Sequence, residues 1–271
     1  MSSEKQIEFT KENIDMYLKE AAKEYRKQVG KDMPAEIILI GGASVLVNYG
    51  FRNMTTDIDA VIRASSVMED VIDRIGDRYN LPKGWLNQDF IQTESYSPEL
   101  ARFSRYHRTY SNVLTIRTVA AEYLVAMKLR SGRQYKSDLS DVLGILAEHE
   151  KSGNQITMER IQKAVRDLYG DWNAIPEASR NFITNVMSDG HFEMLYRQTL
   201  AGEKETRELL IGFEESYPGV TKESNVDKIA ENLQKKTDRA SVLAKLREKQ
   251  QEVRQREEAA NKPKTRSGPV R

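Results

Sequence analysis

Ile37-Ile38-Leu39-Ile40-Gly41-Gly42-Ala43-Ser44, followed by Arg52 and then Thr55-Thr56-Asp57-Ile58-Asp59-Ala60-Val61-Ile62, is the stretch on which the reading of this chain turns. The apolar run Ile37 to Ile40 reads as a buried strand, and the two glycines end it in a tight turn that opens a short helix. A second strand is predicted over Asp57 to Ile62. Side chains two apart on a strand share a face, so Asp57 and Asp59 project together while Ile58 and Ala60 face the other way. Paired carboxylates on one face call for a cation. The chain has no cysteine, and its three histidines, His107, His149 and His191, are scattered. An oxygen-ligated hard ion, magnesium or manganese, therefore suits the pair, and zinc does not. Backbone N–H groups at Gly41-Gly42 and the start of the following helix can receive a phosphate, with the Ser44 hydroxyl as a further donor. Taken alone, the glycine pair is explained by turn sterics and an Asp-x-Asp by a solvated edge; their order within one short stretch favours phosphate binding followed by metal binding.

Outward from this stretch, Thr10 to Val29 reads as an amphipathic helix with Thr10 as cap and Gly30 as stop. Ser66 to Tyr79 reads as a helix and Val113 to Arg117 as a strand, with Leu81 to Tyr110 ambiguous between them. From Thr118 the pattern turns helical: Val119, Tyr123, Leu124 and Met127 line one helix, and Leu139, Val142, Leu143 and Leu146 line a second that should form a hairpin with it over the sheet. Further helices are predicted over Thr157 to Tyr169, Ala178 to Met187 and Phe192 to Phe213. Thr221 to Arg271 holds 14 Lys and Arg against 8 Asp and Glu and no aromatic residue. This basic tail is expected to be helical at most to about Ala260 and disordered over Pro263 to Arg271. The expected organisation is residues 1–150, an α/β domain; 151–220, a helical domain; and 221–271, the tail.

The 271 residues carry a formal net charge of +1 and are 39% apolar, which suits a folded, soluble protein and gives no global field toward nucleic acid or membrane. No window is long and apolar enough for a membrane span and no signal core is evident, so a cytoplasmic location is expected.

These motifs resemble the DNA-polymerase-beta-like nucleotidyltransferase superfamily, and within it the uncharacterised, DUF6036-like bacterial branch related to abortive-infection and toxin-antitoxin nucleotidyltransferases. The Gly-Gly, Arg, Thr, Asp-Ile-Asp succession carries the likeness. It is extended by Gly84-Trp85-Leu86-Asn87 and by Tyr123-Leu124-Val125-Ala126-Met127-Lys128-Leu129 followed by Arg133, Lys136 and Asp138-Leu139-Ser140-Asp141, over about Glu36 to Leu146. The resemblance implies a mixed α/β (α+β) sheet with flanking helices and a magnesium-dependent transfer of a nucleotidyl group from a nucleoside triphosphate to RNA, foremost tRNA, or to protein. It also implies a toxin role with an antitoxin partner. Catalytic positions would be Asp57, Asp59, Lys128 and Asp138, with Asp57 and Asp59 holding the metal. Gly41, Gly42, Ser44, Arg52, Thr56, Arg133 and Asp141 would meet the nucleotide.

Blander readings stand beside these: Lys128 as a snorkelling lysine, and Asp138 as an acid favoured by the helix dipole behind a Ser137 cap. The superfamily places a third carboxylate on a later strand, where Val113 to Arg117 offers Thr115 instead; Asp89 or Glu94 are the substitutes. The alternative function is a catalytically reduced protein that binds nucleotide, RNA or a protein partner.

Overall fold

The computed structural model describes residues 7–133, 135–222 and 225–236. Contacts divide the chain into two compact units, Met1–Glu203 and Lys204–Arg271.

The first unit opens with helix α1 (Lys11–Val29), whose Thr10 hydroxyl accepts the Asn13 N–H while the Asn13 side chain accepts the Thr10 N–H, a reciprocal cap. Strand β1 (Ala35–Leu39), helix α2 (Gly41–Asn48), β2 (Ile58–Arg63), α3 (Val67–Tyr79), β3 (Leu86–Asn87), β4 (Ser104–Tyr110) and β5 (Leu114–Val119) follow. They build one sheet in the order β3-β2-β1-β5-β4. β1 runs antiparallel to β2 and parallel to β5, β3 is parallel to β2, and β4 is antiparallel to β5. The sheet is thus mixed, as expected. Helices α4 (Ala121–Ser131), α5 (Asp138–Lys151), α6 (Met158–Tyr169), α7 (Glu177–Asp189) and α8 (Phe192–Ser216) complete the described order.

Alternation along the strands sets two cores. Ile37 and Leu39 face α1 and α3 with Ile58, Ala60 and Ile116, in a cluster that includes Ile14, Tyr25, Val71 and Ile75. Ile38, Ile40 and Val119 face the other way, into a cluster with Leu124, Leu143, Ile161, Val165 and Ile183. The α4–α5 hairpin therefore lies over the sheet, and α6 and α7 share its core.

The ambiguous segment before Tyr110 holds β3, two short 3₁₀ turns (Asp89–Gln92 and Pro98–Ala101) and the edge strand β4. β4 escapes a hydrophobic reading because its interior residues are polar and solvated, with only Ser104 and Tyr110 buried. It returns to β5 through Ser111 and Asn112, both at positive φ, 51° and 54°, a pair suited to a tight hairpin turn. Val119, expected on the helix, closes β5 instead.

In the second unit Glu214 accepts the N–H groups of Gly219 and Thr221 at 2.6 and 3.2 Å, and a helix covers 226–236. The remainder of the expected tail, including Ala260 and Pro263 to Arg271, lies outside the described residues. No described helix is long and apolar enough to cross a membrane.

Candidate active site

The site lies where β1 ends and β2 begins. Gly41 takes φ +55°, and a Cβ there would stand 3.5 Å from the Asp59 carboxylate, so the turn passes directly beside that acid. A Cβ on Gly42 would meet the Thr55 hydroxyl at 2.6 Å and the Arg52 guanidinium at 2.8 Å. The close approach, and not only turn geometry, demands glycine here. Because α2 starts at Gly41, its first N–H groups lack intrahelical acceptors. Ser44 is different: it is fully buried, and its hydroxyl oxygen accepts the Val119 N–H at 3.3 Å, tying α2 to the end of β5.

Asp57 precedes β2 and is exposed, while Asp59 is half-buried within it. Thr55 is held by a two-way backbone bridge to Phe9 and donates its hydroxyl to Asp57 at 3.4 Å; Thr56 is exposed. Among the described residues no Lys, Arg or His nitrogen forms an ion pair with either acid. Burial, and then the Asp57 charge, push the Asp59 carboxyl up to about 6, against the opposing pull of Lys136, Arg133 and Lys128.

The other two acids are in the opposite condition. The Lys128 ammonium lies 2.7 Å from Asp138 and 2.9 Å from Asp141, with its side chain 8% exposed. Arg133 Nε donates to Asp138 at 2.9 Å, and Arg52 Nη1 donates to Asp141. Burial opposes the Asp138 charge, but Lys128 and Arg133 overcome it and hold the carboxyl well below its usual range. Burial likewise opposes the Lys128 charge, and Asp138 with Asp141 overcome it, raising the ammonium. Lys128, Asp138, Asp141, Arg52 and Arg133 therefore form one largely buried network in which three cations fully compensate the two acids. It puts Lys128 near enough for Asp59 to feel its charge, with its ammonium engaged by the network acids. Lys136 is exposed in the turn between α4 and α5.

Two supports of this network are invisible to sequence periodicity. Phe51 packs so closely on α5 that a Cβ on Gly144 would fall 2.5 Å from its ring, and Tyr196 donates its hydroxyl to the Phe51 carbonyl at 3.1 Å. This fixes the loop that carries Arg52. The second is Glu203. The N-cap Ser137 makes no side-chain capping bond to α5; Glu203 Oε1 instead accepts the N–H groups of Leu139 and Ser140, both at 3.1 Å. Its other oxygen is buried without a hydrogen-bond partner among the described residues, and burial pushes the carboxyl up to about 7. Its sequence signal is no more than a glutamate within the helix expected over Phe192 to Phe213.

The strand beside Asp59 also corrects an expectation. β5 borders β1, so Thr115 is two strands from Asp59. The neighbour is β3, where Asn87 pairs with Asp59 and Leu86 with Ile58. Since Leu86 and Ile58 are both buried in the α1–α3 core, Asn87 shares the face of Asp59. Trp85 anchors β3 by donating its indole N–H to the Ile72 carbonyl at 3.0 Å. Asn87 accepts the Asp89 N–H at 2.9 Å, and Glu94 is drawn to Arg130 at 3.2 Å. Among the described residues no group of three or more His, Cys, Asp or Glu side chains is placed to hold a metal. The two uncompensated carboxylates fit a hard divalent cation that completes its shell with water or phosphate oxygens.

A strand–glycine turn–helix leading into an Asp-x-Asp strand, in a mixed sheet under an α4–α5 hairpin, defines the nucleotidyltransferase-like fold class. The chain belongs to the family described as "Nucleotidyltransferase of unknown function (DUF6036)", whose model matches residues 16–180. No curated protein and no solved structure matches it.

Proposed function

We propose that this chain transfers a nucleotidyl group from a nucleoside triphosphate, with magnesium or manganese, onto an RNA or protein acceptor. The observation that carries the reading is the contrast between its two acid pairs. Asp138 and Asp141 are neutralised by lysine and arginine, whereas Asp57 and Asp59 repel one another beside the glycine turn. A fold that supplies cations to one pair and withholds them from the other suits a ligand that brings its own positive charge. Held by Asp57 and Asp59, a divalent ion would shield triphosphate oxygens during in-line displacement. The helix start at Gly41-Gly42 offers N–H groups to a phosphate. In the reaction the acceptor oxygen bonds to the α-phosphorus, the bond from that phosphorus to the bridging oxygen breaks, pyrophosphate departs, and the acceptor proton passes to solvent. The network around Lys128 supplies a fixed positive field behind Asp59.

Incubation with each labelled triphosphate, magnesium and total cellular RNA or protein tests this. Label should enter one acceptor with the wild type and be lost with Asp57→Asn or Asp59→Asn; full labelling by the double variant removes both residues from the mechanism. A second reading, nucleotide binding without transfer, is favoured by Asn87 standing beside Asp59 where a further acid would complete a ligand set; magnesium-dependent nucleotide binding with no labelled product would select it. Action as the toxin of a toxin-antitoxin pair rests on the family likeness, and growth arrest on expression that depends on Asp57 and Asp59 tests it.

A further inference from the structure

From Arg102 to Ala121 the chain carries four arginines, Arg102, Arg105, Arg108 and Arg117, and no acidic residue. In a protein of net charge +1 this is a local concentration of positive charge, and it falls on the β4–β5 hairpin at the edge of the sheet. The side chains of Arg102 and Arg105 are 77% and 60% exposed, and between Arg105 and Arg108 the ring of Tyr106 is 64% exposed. The register fixes where that ring lies. Tyr106 pairs with Arg117, Arg117 with Ile38, and Ile38 with Val61, two residues along β2 from Asp59. Tyr106 and Arg117 therefore share the sheet face that carries Asp59, with Tyr106 about 16 Å from it, three inter-strand steps across and two residues along. Arg105 pairs with Thr118 and, past a bulge, Arg108 with Ile116, so both lie on the opposite face of the same edge strand, and Arg108 is turned to Asp15 of α1.

We infer that the β4–β5 hairpin binds single-stranded RNA draped over its free edge, with a base stacked on Tyr106 and phosphates on the exposed Arg102 and Arg105. This deepens the proposed function, on which it rests for the acceptor's role, by assigning the RNA class and its docking surface. Charge alone would equally suit an acidic protein segment. An exposed aromatic ring on the edge strand that also carries exposed arginines adds the feature that an unpaired base recognises, since every base has a face to stack. A duplex cannot offer that face. Acids do approach the arginines, but from other elements and mostly at long range: Glu99 is 3.6 Å from Arg102, Glu122 3.9 Å from Arg105 and Glu36 3.7 Å from Arg117. Only Asp15 lies close to its partner, 2.7 Å from Arg108. Arg102 and Arg105 are themselves exposed and their contacts long, so these pairs contribute little and phosphate oxygens can replace them.

The test is fluorescence anisotropy of the full chain with a labelled oligouridylate, in EDTA and without nucleotide, so that it does not depend on transfer. Affinity should fall steeply with salt and drop about tenfold or more in Tyr106→Ala and in the Arg102→Ala/Arg105→Ala double variant. Tyr106→Phe should bind like the wild type, and Lys23→Ala, on exposed α1 surface, should change nothing. Thermal unfolding of each variant checks that the fold is kept. Unchanged affinity in Tyr106→Ala, no RNA binding by the wild type, or tighter binding of duplex RNA or of single-stranded DNA overturns the inference. RNA binding through Tyr106 with no labelled product upholds the surface and refutes the transfer reading; transfer to RNA with Tyr106→Ala bound normally does the reverse.

Discussion

Replacing Asp59 by asparagine should make the metal-free protein more stable at neutral pH, although the residue stands at the centre of the site. The fold raises this carboxyl from its usual 3.8 to about 6 through burial and through Asp57. The neutral form is thus favoured by folding, and the cost of carrying the charge is absent below about pH 4. It grows as pH rises through the interval to about 6 and is fully present above it. At about 1.4 kcal/mol per pH unit the rise bounds the cost at about 3 kcal/mol, and solvent screening of a half-buried group reduces it to about 1–2 kcal/mol. Urea unfolding in EDTA should show Asp59→Asn more stable than wild type by that amount at pH 7.5 and indistinguishable from it at pH 4. Magnesium or manganese should then reverse the order, because an ion at about 100 times its Kd adds about 2.7 kcal/mol to the state that binds it and the variant has lost a ligand. A variant no more stable than wild type at pH 7.5 in EDTA, or one stabilised equally by the ion, contradicts the reasoning.

The paired network behaves oppositely. Lys128→Met leaves Asp138 and Asp141 with fewer cations in a buried setting and should cost about 3–5 kcal/mol in denaturant unfolding; a loss under about 1 kcal/mol would mean that the network is not what holds α5. Glu203 is held near 7, so wild-type stability should decline as pH rises from about 4.5 to 7. Glu203→Gln, which can still accept both N–H groups, should lack that component of the pH dependence, and Glu203→Ala should lack it too while standing about 1 kcal/mol below wild type at about pH 4.5, where the wild-type carboxyl is neutral and only the cap is lost. Asn87→Asp should bind manganese at least tenfold more tightly by paramagnetic resonance titration, and unchanged affinity would place Asn87 outside the site. Gly144→Ala should lower the melting temperature through the clash with Phe51, at a cost of about 1–3 kcal/mol, and a neutral result would mean that the loop carrying Arg52 yields easily.

Features that depend on near neighbours in the chain are legible in the amino-acid sequence itself. Apolar runs of period 2 and 3.6 locate β1, β2 and the helices, and the cap of α1 falls at Thr10, because each follows from steric and solvation effects within a turn or two. The same holds for the glycine turn and for Asp57 and Asp59 projecting together, since strand parity alone puts them on one face. Tertiary structure decides which charges meet. Lys128, Asp138, Asp141, Arg52 and Arg133 all have sequence signals, but nothing in the sequence says that Arg52, 89 residues away, ends on Asp141, or that this leaves Asp57 and Asp59 uncompensated. Glu203 capping α5 from 64 residues away, Asn87 beside Asp59, and Tyr106 on the face of the site are likewise settled by helix packing and strand order. Ion pairing and burial are properties of what surrounds a residue in space, and periodicity reports only which side of its own element that residue occupies.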